Sequence, residues 1–169
     1  FASNGPLLFF DVNGQPPGEE LRLEASQDSV MVEARAVCNF GLDCLEIVRN
    51  GAVVKRVEGK GGQTEIACSE RIPLTESAWF AVRARGDVAP EQYGGVAPWH
   101  LHAHSSPVYV RRGSRPICVP SDATGMADYI RMVMEVYRRR GQFASDHQRD
   151  ELMTNCQNAL AFYEQAVSG

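Results

Sequence analysis

Asn50-Gly51, set between the β-branched runs of CLEIVRNGAVVKRVEG, constrains this chain more than any other feature. A two-residue hairpin turn of type I′ needs positive φ at both central positions, and Asn-Gly tolerates that best. Two antiparallel strands are expected around it. LLFFDV, LRLEA, SVMVEARAVC, TEIACS, SAWFAVRAR and SSPVYVRR continue the pattern, separated by turn residues such as Asn13-Gly14 and the Pro16-Pro17-Gly18 breaker. No helical period lies between them. Residues 1–115 are therefore expected to form an antiparallel, immunoglobulin-like β-sandwich of about seven strands, which makes the chain mainly β. Gly59-Lys60-Gly61-Gly62 reads as a hairpin tip, and the segment from Gly86 to Pro98 as a loop.

The pattern changes after Pro116 and Pro120. Met126, Tyr129, Ile130, Val133 and Tyr137 recur at helical spacing, basic residues close the run, and Gly141 follows as a stop. Ser145 with Gln148 makes a capping-box pattern ahead of Leu152, Cys156, Leu160 and Tyr163. Residues 116–169 are thus predicted to be a helical hairpin tail. Two helices of this length cannot bury an apolar stripe by themselves, so the tail is expected to pack on the sandwich or on a partner domain.

With 44% hydrophobic and 22% charged residues, the 169-residue chain has enough apolar surface for a real core. Its net charge of -4, without a basic block, argues against nucleic acid or an anionic membrane as partner. No apolar run approaches a membrane span. The opening FASNGPLLFF, with neither initiator methionine nor signal-peptide pattern, reads as the inside of a domain, so a fragment or processed product of something longer is expected. Five cysteines form no CxxC or finger spacing, and their odd number excludes a complete disulfide framework. Buried free thiols are the leading expectation, with a Cys38–Cys44 bridge as the alternative.

Strand parity places Phe80, Val82 and Ala84 on the core face, with Trp79, Ala81 and Arg83 opposite. It likewise sends Glu46, Glu33 and Arg35 outward. Arg35, Glu46 and Arg83 are expected to meet on one outer sheet face beside Trp79, as a structural ion-pair network rather than a substrate patch.

His100, His102 and His104 alternate in WHLHAHSSPVYV, so an extended strand would put three imidazoles on one face. Such a face can offer nitrogen ligands to zinc. Against this, Gly94-Gly95 and Pro98 precede the string, and no Asp, Glu or Cys lies near it in sequence. Its continuation through Ser106, Val108 and Val110 is expected to carry the same face into apolar packing. The weight falls on hydrogen-bonded or solvated histidines at a strand start. G-x-S-x-G, P-loop and H-E-x-x-H motifs are absent, and the scattered carboxylates suggest no catalytic pair. Catalytic residues are not expected in this chain.

SNGPLLFFDVNGQPPGEELRL, ARA, LEIVRNGAVV, SAWFAVRARG and AHSSPVYV occur in an order that resembles the C-terminal region of CehA/McbA-type metallohydrolases. These are carbaryl-hydrolase-like members of the PHP (polymerase and histidinol phosphatase) superfamily. The resemblance spans Ser3 to Val110, more loosely the helical tail, and departs at Ser105, where the family more often has threonine. It implies that divalent metals bind in an upstream catalytic domain of the same polypeptide, opened by its own H-x-H motif. Only His104 falls within a matched string, so no metal ligand carries over to His100 or His102.

What the resemblance implies is a non-catalytic accessory domain that supports the catalytic domain, walls its substrate cleft or mediates a homo-oligomer. It favours an extracytoplasmic location. Trp79, Trp99, His104 and Tyr109 are the binding or interface candidates. Two other readings stand beside it: a free-standing, carbohydrate-binding-like sandwich stacking its ligand on Trp79, Trp99 and Tyr109, and a small zinc site on His100, His102 and His104.

Overall fold

A computed structural model describes residues 1–24, 26–113 and 117–168. Ala25, the end of one expected strand, and the expected 115/116 boundary with Pro116 lie outside the described residues. The chain divides into two compact units, Phe1–Ile117 and Cys118–Gly169.

The first unit holds, in chain order, β1 (Ala2–Ser3), β2 (Leu7–Val12), β3 (Glu20–Leu23), β4 (Ser29–Val37), β5 (Cys44–Arg49), β6 (Ala52–Glu58), β7 (Glu65–Pro73), β8 (Ala78–Val88), the single turn α1 (Pro90–Tyr93), β9 (Trp99–His104) and β10 (Val108–Arg112). One sheet is three-stranded, in the order β2-β4-β7. The other contains seven strands, with β8 at its centre. One edge of β8 pairs with β5, which pairs in turn with β6. Its other edge pairs first with β9 and then with β10. β1 and β3 lie beyond these. The expectation of a purely antiparallel sandwich needs correction, because β3 runs parallel to β10. The Pro16-Pro17-Gly18 breaker explains this. It lets the chain leave the three-stranded sheet after β2 and re-enter the other as β3, where Gly18 N–H donates to Pro107 O at 2.8 Å.

One core fills the space between the sheets. Leu45, Ile47, Phe80, Val82, Leu101 and Val108 meet Leu8, Phe10, Val30, Val32 and Ile66 there. Alternation along β4 and β8 is nearly unbroken, and each inward valine or phenylalanine contributes roughly 1.5–3 kcal/mol of burial. Lys55 Nζ lies 2.7 Å from Glu70 Oε2, joining β6 to β7 across the open edge.

Two expected loops are resolved differently. β8 continues through Gly86 to Val88, and α1 follows it. Gly59 to Gly62 is not a hairpin tip but the crossover from β6 in one sheet to β7 in the other. At Gly59 a Cβ would collide with Leu42 O, so only glycine allows this close backbone approach.

The second unit is a helical pair, α2 (Pro120–Arg140) and α3 (Asp146–Ser168). Pro120 opens α2 at a position where its missing N–H costs nothing. Gln148 N–H donates to Ser145 Oγ at 3.2 Å, while Gln148 Oε1 accepts from Ala144 N–H, capping α3. Ala123, Ala127 and Met134 are the buried residues of α2, and Arg131 Nη2 reaches Glu164 on α3 at 2.6 Å.

Candidate functional site

The outer face of the seven-stranded sheet gathers most of the predicted residues, and the Asn-Gly hairpin begins to explain how. Asn50 and Gly51 have φ of 48° and 85°, as a type I′ turn requires. An unbroken hairpin from this turn would set Lys55 opposite Glu46. A register shift between Ile47 and Val48 instead pairs Glu46 with Arg56 and Ile47 with Lys55. The bulge thus sends Arg56 to the outer face and Lys55 toward Glu70.

Glu46 is only 2% exposed although it points away from the core. Its carboxylate accepts from Arg83 Nε, from Arg56 Nη1 at 2.8 Å and from Arg85 Nη2 at 3.1 Å. The three guanidinium stems fold over β5 and shield it on this side. Burial pushes the Glu46 carboxyl pKa upward. Hydrogen bonds from Arg83 and Arg56, with the charges of Arg83 and Arg85, outweigh that and hold it below the ordinary carboxylate range. Arg35 is not part of this network, contrary to expectation. It lies on the three-stranded sheet, 3.4 Å from Glu65 and with its guanidinium 4.2 Å from the Phe9 ring centroid. The parity of Arg35 was legible, but the sheet to which β4 belongs was not.

His100, His102 and His104 do share a face of a true strand, β9, and all three are exposed. Register places them opposite Asp87, Arg85 and Arg83 respectively. His100 Nδ1 donates to Asp87 Oδ1 at 2.7 Å, an acidic partner invisible in the local sequence. The other two imidazoles stand across from guanidiniums, which repel a cation. Among the described residues, no group of three or more His, Cys, Asp or Glu side chains is placed to hold a metal ion. Asn4 fixes the middle of the string: His102 N–H donates to Asn4 Oδ1 at 2.7 Å, and Asn4 Nδ2 donates to His100 O at 2.8 Å.

The face does not continue into Val108 and Val110 as expected. His104 pairs with Arg83 but Val108 pairs with Phe80, so one extra residue is accommodated between β9 and β10. This inverts the parity and turns Val108 and Val110 into the core. Ser105 enables the inversion. It is buried, its N–H donates to Val82 O at 2.9 Å, and its Oγ accepts from Val82 N–H at 3.0 Å. Pro107, lacking an N–H, suits the interruption.

Beside this bulge lies an open cleft of about 410 Å³, lined by Val48, Trp79, Ala81, Arg83, His104 and Tyr109 among others. Trp79 and Tyr109 are cross-strand partners, and Asn50 Oδ1 accepts from Trp79 N–H at 2.9 Å. The cleft therefore offers two aromatic surfaces, an apolar floor, an arginine and an imidazole. That arrangement suits a planar or acidic group. Trp99 contributes nothing to it, which corrects its place among the exposed candidates. It has core-facing parity and packs against Phe40 and Tyr93, with ring centroids 5.9 and 5.8 Å away.

Asn4, Arg56, Arg85 and Asp87 are not singled out by sequence reasoning, and Ser105 is noted there only as a departure from the family's threonine. Arg85 follows Arg83 by two residues on the same strand, so extending the parity would have found it. The others depend on register and bulges. Comparisons of the chain with family models, curated proteins and solved structures found no match.

Proposed function

We propose that this chain is a non-catalytic accessory portion of a PHP-type metal-dependent hydrolase of the CehA/McbA kind, and that its first unit is an immunoglobulin-like sandwich. Strand exchange supports the fold reading: the chain leaves one sheet after β2 and enters the other as β3, parallel to the last strand, β10. Two packed sheets joined by such crossovers are the hallmark of sandwich architectures. The observation that carries the functional reading is the cleft formed by Trp79, Arg83, His104 and Tyr109. It presents aromatic and cationic binding surface. It serves as a wall against the catalytic domain, which supplies the divalent metals and the hydrolytic chemistry. An extracytoplasmic location belongs to the same proposal.

The first test is the coding sequence upstream of the Phe1 codon. A domain there that opens with H-x-H and carries further spaced His, Asp and Glu ligands is the expected result; a start codon or export signal directly upstream overturns the reading. In the full-length protein, Trp79→Ala and His104→Ala should each lower turnover or disturb assembly. Unchanged turnover and assembly in both would remove the wall role.

A free-standing ligand-binding module is the second reading, favoured by the Trp79–Tyr109 pair alone. It requires a glycan screen to return a ligand whose binding disappears in Tyr109→Ala. An accessory wall returns none.

A further inference from the structure

Helix α2 carries a second apolar stripe that α3 does not cover. Ala123, Ala127 and Met134 define its buried side. At 100° per residue, Met126, Tyr129, Val133 and Val136 cluster on a stripe about 120° away from that side. Met126, Tyr129 and Val136 are 42%, 56% and 50% exposed, and Val133 is partly exposed. Apart from Met132, Tyr137 and Gly125, the rest of the outward surface is polar, formed by Ser121, Thr124, Asp128, Glu135 and Arg139. Solvent exposure alone therefore does not account for the stripe.

Its ends are charged in a particular way. The stripe runs Asp122, Met126, Tyr129, Val133, Val136, Arg140, with steps of four, three, four, three and four. This heptad-like spacing reads the same in both directions. Laid antiparallel on a second copy of itself, the stripe brings Met126 opposite Val136, Tyr129 opposite Val133 and Asp122 opposite Arg140. A parallel arrangement would oppose Asp122 to Asp122 and Arg140 to Arg140.

We propose that α2 is a homodimerisation element: two copies of the chain associate through this stripe, antiparallel about a two-fold axis. The charge complementarity of its ends selects a second copy as occupant, and the two-fold axis uses each ion pair twice. One helix stripe belongs to the small class of specific interfaces, below about 1,200 Å², so association in the micromolar range is expected. This inference does not rest on the accessory-domain reading.

Sedimentation equilibrium of the full 169-residue chain tests it. Wild type is expected to pass from 18.6 kDa to twice that mass with rising concentration. Asp122→Arg and Arg140→Asp should each weaken self-association about tenfold, the size of two lost surface ion pairs replaced by repulsion. The double variant should recover it, and an equimolar mixture of the two single variants should associate. That rescue also separates pairing from any effect on helix stability, since the double variant reverses both helix-end charges. Tyr129→Glu should abolish the dimer while leaving helical circular dichroism intact. The proposal is overturned by a chain monomeric at high micromolar concentration, which would mean that another domain or nothing covers the stripe. It is equally overturned by a dimer indifferent to the single reversals, or by singles that the double variant and the mixture fail to rescue.

Discussion

Glu46 shows how one side chain can be both buried and outward-facing. Its partners Arg56, Arg83 and Arg85 are each more than two-fifths exposed, so the network lies between a surface ion pair and a core one. Glu46→Gln leaves Arg83 and Arg85 without a countercharge, while Arg56 keeps Glu58, and is expected to cost about 2–3 kcal/mol. That is below the ~3–5 kcal/mol of a fully buried pair, because water screens the arginines. Chemical denaturation would measure it. The pH dependence has a definite sign. A carboxyl whose pKa is lower folded than unfolded contributes stability above the unfolded value, about 4.3, and loses it as pH falls through the folded value. Wild type should therefore lose its advantage over Glu46→Gln on acidification below about pH 4. Ser105 offers a cleaner case. Ser105→Ala orphans the buried Val82 N–H and should cost roughly 1–3 kcal/mol, whereas Ser105→Thr retains the acceptor and should cost less. Thermal unfolding of the two variants side by side would show whether the hydroxyl or merely the space matters.

At the scale of elements, the hairpin and the bulges act together. Gly51 sits at φ 85°, and a methyl added there would meet nothing within 4 Å, so Gly51→Ala probes backbone strain without steric clash. It should destabilise by about 1 kcal/mol, read as a shift in the denaturation midpoint. Asn50 does more than shape the turn, since it also binds Trp79 at the start of β8 and so ties the hairpin to the cleft. Lys55–Glu70 spans the open edge, but both partners are well exposed. Lys55→Met should change stability by less than about 1 kcal/mol, measured in the same denaturation series. The same sequence that gives a turn signal thus also needs an irregular register to deliver Arg56 to Glu46.

For the whole molecule, all five cysteines are free, and Cys38 and Cys44 are buried without forming the bridge considered from sequence. A reductant should leave the melting temperature unchanged, and a thiol reagent should spare Cys38 and Cys44 until the protein unfolds. The division into a β unit and a helical unit reflects two hydrophobic periods, two residues in one part of the chain and 3.6 in the other.

Local chemistry is what the sequence by itself determined. The Asn50-Gly51 turn, the inward faces of β4 and β8, the start of α2 at Pro120 and the cap at Ser145 depend on φ preferences, alternation and nearby hydrogen bonds. Each is set within a few residues, so each is legible in a string. Only the tertiary structure decided which outward residues meet. Arg35 and Arg83 have the same parity but belong to different sheets, and Trp99 turns inward while the three histidines after it turn out. One extra residue at each of two bulges replaces Lys55 by Arg56 beside Glu46 and turns Val108 into the core. Sheet membership and register arise from pairing between residues distant in sequence, and a one-residue shift exchanges the two faces of a strand.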